Sequence, residues 1–198
     1  MADLLNTNPN DNYGDDAIVT LSPREHIRLR PGMYIGKLGD GAQADDGIYV
    51  LIKEVVDNSV DEFIMGAGRQ IDISIADNVV SVRDYGRGIP LKSLAAAVGQ
   101  MNTGGKYGGD AFKKTVGLNG VGVKAVNMLS EEFTARSVRD GEARTVTFAK
   151  GLEVSDRWES GVNEKNGTFI SYRVDKEIFG EYVYNLEYVE QKIRNYSY

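Results

Sequence analysis

The chain contains no cysteine. Disulfides, thiolate zinc sites and a cysteine nucleophile are excluded with it. His26 is the one histidine, which argues against a histidine-based triad and against a multi-histidine metal site. Positive charge is in deficit: 23 Lys and Arg stand against 29 Asp and Glu, a formal net charge of -6. That balance argues against a broad basic face for DNA or for an anionic membrane. No apolar run exceeds about five residues, far short of the roughly 20 that span a bilayer. The N-terminus, MADLLNTNPNDNYGDD, is polar and acidic and has no signal-peptide pattern. No membrane partner and a cytoplasmic location are therefore the expectation. The remaining composition is ordinary. With 198 residues, 41% hydrophobic and 26% charged, the chain suits one domain, or one domain with a tail, and can bury a core unaided.

Glycine is plentiful, at 23 residues, and it clusters. Residues 102–122 hold seven glycines, and residues 104–124 carry Lys106, Lys113, Lys114 and Lys124 against Asp110 alone. A glycine-rich positive stretch inside an acidic protein points to a small polyanion rather than a long one.

Periodicity divides the rest. Residues 1–20 show none before Ala17 and read as a flexible N-terminal arm, with residues 21–198 as the domain. Ser22-Pro23-Arg24-Glu25 carries the signature of a capped helix start, and Pro31-Gly32 ends that helix near Arg30. Ile48, Leu51, Ile52, Val55, Val56, Ser59, Val60, Phe63 and Ile64 predict the strongest helix, over residues 47–66. A hairpin follows, Gln70 to Asp84 with a turn at Asp77-Asn78. After a short helix at 91–99 and the glycine stretch, a helix runs from about Val121 to Leu129. Four strands come next, separated by turns at Asp140-Gly141, Lys150-Gly151 and Gly161 to Gly167, and then a last helix from about Leu186 to Arg194. This order predicts an α+β two-layer sandwich: a mixed, mostly antiparallel sheet with helices on one face.

Three constellations carry chemistry. Glu54, Asn58 and Asp61 stand at i, i+4 and i+7 of the long helix, flanked by Asp57 and Glu62. A carboxylate and an amide oxygen one turn apart can share Mg2+ and a water. A solvated acidic face would look similar, although this one holds a single lysine, Lys53, and no regular Glu–Lys ladder. Second, Asp84-Tyr85-Gly86-Arg87-Gly88-Ile89-Pro90 ends an apolar strand in a glycine turn. There a buried carboxylate suits an exocyclic amine such as that of adenine; an ordinary tight turn with a surface Asp fits the local sequence equally. Third, Gly104-Gly105-Lys106 leads to Gly117-Leu118-Asn119-Gly120-Val121-Gly122, which opens a helix. Free N–H groups there form a phosphate cradle. Gly105 stands where a Walker A loop needs Lys, and no strand precedes the glycines as a Rossmann fingerprint requires. Gly167-Thr168 at a strand start is a weaker signal. Together these describe a Mg2+-nucleotide pocket outside the Walker class.

With Arg30-Pro31-Gly32-Met33-Tyr34-Ile35-Gly36 added, the motifs closely resemble, over residues 13–198, the N-terminal ATPase domain of the bacterial type II topoisomerases. These are the B subunits of DNA gyrase and topoisomerase IV, with the GHKL (Bergerat) ATP-binding fold. A MutL-like repair ATPase or a kinase module would carry a different box in place of Arg30 to Gly36. The resemblance implies roles. Glu54 is the general base, Asn58 the Mg2+ ligand and Asp61 a neighbour on the same nucleotide-facing stripe. Asp84 accepts from the adenine amine, with Thr168 in support. Arg87 pairs with Glu62 at the pocket edge, and Gly88, Ile89 and Pro90 line the wall. Leu118, Asn119, Gly120, Val121 and Gly122 wrap the phosphates, with Lys106 adding charge. Tyr13 reaches the partner's nucleotide site, and Arg139 matches the rim arginine of the aminocoumarin-binding region. ATP and Mg2+ are the implied cofactors. The implied partners are a second copy on ATP binding, the A-type subunit, duplex DNA and aminocoumarin inhibitors.

The family has longer chains, so the transducer domain and the fold's last strand are expected past Tyr198. Three positions depart from the family pattern. Tyr85 replaces its second Asp, Asn119 stands where gyrases commonly have His, and Val50 stands where a His can precede the base. A second reading from another class is a nucleotide-dependent dimerisation module with negligible hydrolysis.

Overall fold

The computed structural model describes residues 20–101 and 121–196. Helix α1 (Pro23–Leu29) starts where its capping residues dictate. The Ser22 hydroxyl accepts from the Glu25 amide at 3.3 Å, and the Glu25 carboxylate accepts from the Ser22 amide at 2.8 Å. One helical turn, α2 (Gly32–Ile35), follows directly. The Pro-Gly pair reads as a stop, but Pro31 is tolerated ahead of a first turn because its missing N–H would have no partner there.

Helix α3 (Gly47–Ile64) is the long helix expected, and it buries Ile48, Leu51, Ile52, Val55 and Val56. The hairpin β1 (Ile71–Ala76) and β2 (Val79–Asp84) turns on Asp77 and Asn78, both at positive φ, 51° and 62°. This is the turn whose twist matches paired strands. A 3-10 turn (Leu91–Ser93) runs into α4 (Leu94–Gly99). After the glycine stretch come α5 (Gly122–Met128), β3 (Ser130–Arg139), β4 (Glu142–Ala149), β5 (Leu152–Ser160) and β6 (Gly167–Val174). The turn α6 (Lys176–Phe179) and helix α7 (Leu186–Arg194) complete the order.

The strand order is β1-β2-β6-β3-β4-β5, and every pairing among the described residues is antiparallel. The expected mixture is absent there for a topological reason. β2 and β3 run the same way, and β6 inserts between them antiparallel to both. Helices α3, α4 and α5 pack on one face, as expected. Among the described residues no helix is long and apolar enough to cross a membrane.

The register sorts the helix-facing side chains into rows across the sheet. Ile75, Val80, Tyr172, Phe133 and Phe148 form one, and Ile73, Val82, Ile170, Ala135 and Val146 the next. All but Ile73 and Ile75 are buried in the core. The third row, at the sheet end, changes character. Ile71 faces Asp84 across the hairpin, and Thr168, Ser137 and Arg144 continue it. Asp84, Thr168, Ser137 and Arg144 are all buried. A polar row under an apolar core must be satisfied by bonds at that end, and this positions the site.

At the opposite end an ion pair ties α1 to the sheet. Arg28 Nη2 lies 2.6 Å from Asp175 Oδ2, and Arg28 Nη1 donates to the Met128 carbonyl at 2.9 Å. Burial pushes the Asp175 carboxyl up, but Arg28 and the Glu177 amide outweigh it and hold the group below its usual value. Asp175→Ala removes the buried carboxylate from Arg28, leaving it the Met128 carbonyl and Glu177 at 3.8 Å, and should cost about 3 kcal/mol near neutral pH, measured by urea unfolding. A depressed carboxyl stabilises above its unfolded value and loses that contribution as pH falls through the folded one. The gap between the two proteins should therefore narrow below about pH 4. A gap independent of pH would contradict the pairing.

Candidate functional site

The site is built where the polar row meets α3. Asp84 ends β2 as a buried side chain. Its Oδ1 accepts two backbone N–H groups, from Gly86 at 2.9 Å and Thr168 at 3.1 Å. Its Oδ2 accepts no hydrogen bond among the described residues. Burial pushes the Asp84 carboxyl above its usual value, the two amides pull it back, and the Glu62 charge adds to the rise. The structure thus brings Asp84 and Thr168 together, through the Thr168 backbone.

The following loop is fastened at several points. Glu62 receives three bonds from Arg87: its N–H at 3.1 Å, Nε at 3.0 Å and Nη2 at 2.8 Å. Ser137 Oγ donates to the Ile89 carbonyl at 2.7 Å, and Arg139 Nη1 to the Gly88 carbonyl at 3.3 Å. Gly88 sits at φ 73°, where a Cβ would come within 2.7 Å of the Val138 carbonyl. Only glycine lets this loop press onto β3. Ile89 packs against the core edge and Pro90 starts the 3-10 turn. The loop is a shelf beside Asp84 rather than a free turn.

On α3, Glu54 is half-buried, Asn58 exposed and Asp61 buried. Asn58 Nδ2 donates to the Glu54 carbonyl at 2.9 Å. An amide so anchored turns its oxygen away from the helix backbone, as a hard cation requires. No three His, Cys, Asp or Glu side chains group as metal ligands among the described residues. A divalent ion here would thus combine Asn58 with oxygens of a ligand and water. Glu54 faces the start of α5: a Cβ on Gly122 would fall 1.8 Å from Glu54 Oε2. Gly122 therefore makes room for the carboxylate, and Val121 precedes it as the helix cap. Tyr13, Lys106, Leu118, Asn119 and Gly120 lie outside the described residues, as does the arm up to residue 19.

One contact was not legible in the sequence. The Tyr196 hydroxyl, just past α7, donates to Asp57 Oδ1, and Lys53 Nζ meets Asp57 Oδ2 at 2.5 Å. Burial pushes the Tyr196 hydroxyl far up, and its bond to Asp57 and the charges of Asp57, Glu54 and Asp61 push it further. No local pattern announces a bond across 139 positions.

Comparison with known proteins shows the family of the chain. The family model "Histidine kinase-, DNA gyrase B-, and HSP90-like ATPase" matches residues 43–176. The chain belongs to this ATPase family. It is 52% identical over 186 residues to the B subunit of DNA topoisomerase 4 from Borreliella burgdorferi, covering 94% of this chain and 31% of that protein. It is 37% identical over 205 residues to the B subunit of DNA gyrase from Staphylococcus aureus, covering 98% and 31%. It thus spans about a third of the length of these relatives. A crystal structure of the 43K ATPase domain of Thermus thermophilus gyrase B, in complex with an aminocoumarin, superposes with a TM-score of 0.74. Sequence identity there is 27%, over 88% of this chain and 45% of that one.

The Glu62–Arg87 clamp is testable by itself. Glu62→Ala should speed amide exchange at Arg87, measured by NMR, and cost about 1 kcal/mol for a part-exposed pair. Unchanged exchange would contradict the clamp.

Proposed function

We propose that the chain binds ATP with Mg2+ at this site and hydrolyses it, as the ATPase domain of a type II topoisomerase of the gyrase B kind. The observation that carries this is Asp84. It is a buried carboxylate at the end of an apolar sheet face, with one oxygen fixed by two amides and the other accepting no bond among the described residues. That oxygen suits the exocyclic amine of adenine, which donates where a 6-oxo purine would accept. Thr168 and the Gly88-Ile89-Pro90 shelf flank the base.

Glu54 accepts the proton of the water that attacks the γ-phosphorus, and its place beside Gly122 aims it at the end of the glycine stretch. Asn58 would hold the divalent ion, which when bound supplies charge neutralisation to the phosphates. Asp61 supports the same stripe, and residues 118–122 with Lys106 receive the phosphates. In the longer relatives' setting, ATP would join two copies through the arm and Tyr13 and close a clamp on duplex DNA together with the A-type subunit. Arg139, bonded to Gly88 at the rim, would meet an aminocoumarin; the aminocoumarin held by the gyrase B domain of Thermus thermophilus supports this.

Asp84→Asn should lower ADP affinity about tenfold or more, by calorimetry, because it removes a charge-assisted acceptor. Unchanged affinity would remove the adenine assignment. Glu54→Gln keeps the shape of the side chain and removes its basicity, so folding should persist. Turnover should fall about tenfold or more at nearly constant ADP affinity. Equal turnover would contradict the role of Glu54. Nucleotide-dependent dimerisation by a chain that never hydrolyses ATP would favour the dimerisation-module reading.

A further inference from the structure

A cavity of about 180 Å3 lies between the C-terminal half of α3 and the chain leading into β1. Ser59 and Phe63 line it from the helix, Gly68 and Ile71 from the segment that opens the hairpin, and Asp84 and Tyr85 from the end of β2. Its walls are mainly apolar, and Asp84 is the only acidic group on them among the described residues. Arg69 and Gln70, both exposed, stand at the mouth. The volume is meaningful, since an apolar protein cavity of about 150 Å3 takes up benzene. Gly68 sets one wall by packing directly on the end of β2, where a Cβ would meet the Tyr85 backbone at 2.9 Å.

The cavity and the proposed nucleotide site share Asp84. An exocyclic amine has two substituent positions. When one hydrogen is donated to Asp84 Oδ2, the other position is free to carry a group, and Asp84 borders the empty volume. We propose that the site accepts adenine nucleotides bearing an apolar substituent on the exocyclic amine, with the substituent lodged between α3 and β1. This rests on the reading of Asp84 as the adenine acceptor. It adds a subsite that the unsubstituted nucleotide leaves unused. The ligand class is a secondary amine on the purine 6-position, with one ring-sized apolar group. Two such groups would leave no hydrogen for Asp84, so a dialkylated amine is excluded.

The test compares ADP with N6-benzyl-ADP by calorimetry on the 198-residue chain. The benzyl analogue should bind within about tenfold of ADP, because the benzyl group enters apolar space rather than displacing protein. Ala67→Trp, which fills the mouth from a half-buried position, should weaken the analogue by a further factor of about ten or more while ADP affinity holds. Gln70→Trp, on the exposed rim, serves where the first variant fails to fold by circular dichroism. An analogue more than about tenfold weaker than ADP overturns the proposal. So does a tryptophan variant that binds both ligands with their original ratio. If the unsubstituted chain binds no ADP, the nucleotide reading and this proposal fall together. Binding of ADP with exclusion of the analogue overturns the subsite alone.

Discussion

The Asp84 carboxylate is buried at one end of a sheet whose helix-facing side is otherwise apolar, and that placement constrains everything around it. An ion or an acid in such a place is costly unless hydrogen-bonded. Two backbone amides meet the need, and they come from different parts of the chain: Gly86 from the adjoining loop and Thr168 from β6. Thr168 reaches Asp84 only because β6 inserts beside β2. The loop reaches it only because Glu62 clamps Arg87 and Ser137 fastens Ile89. Fold and site are therefore one arrangement, with the polar row as the seam between them.

Helix α3 answers two demands at once. One stripe buries Leu51, Ile52, Val55 and Val56 against the sheet and α5, which at roughly 1.5–3 kcal/mol for each fully buried aliphatic side chain dominates its anchoring. Its polar stripe presents Glu54 and Asn58. The rigidity supplied by the first gives the second its geometry: Asn58 is turned by its own helix backbone, and Glu54 is received by the gap at Gly122. Tyr196 and Lys53 both bond Asp57, so the turn that carries Glu54 and Asn58 is held from a distant part of the chain as well.

Local signals made much of this readable. The three- and four-residue spacing fixed α3 to within its last turn, and Ser22 with Glu25 set the start of α1. Asp77-Asn78, Asp140-Gly141 and Lys150-Gly151 marked the hairpins, and all six residues take positive φ. Glu54, Asn58 and Asp84 could be singled out as candidates because each sits in a short local pattern, and the family resemblance gave them their expected roles. The α2 turn hid behind Pro31-Gly32, a pair that either stops a helix or starts one. The position of β6 between β2 and β3 could not be read, since strand order depends on pairings far apart in sequence. The bonds Arg28–Asp175 and Tyr196–Asp57 were hidden for the same reason, spanning 147 and 139 positions.

The most direct test of the account is a crystal structure of the chain with Mg2+ and a non-hydrolysable ATP analogue. The adenine amine should lie about 3 Å from Asp84 Oδ2, and the metal should sit about 2.1 Å from Asn58 Oδ1 with Glu54 facing the γ-phosphate. Adenine bound away from Asp84, or phosphates bound away from α3, would contradict it.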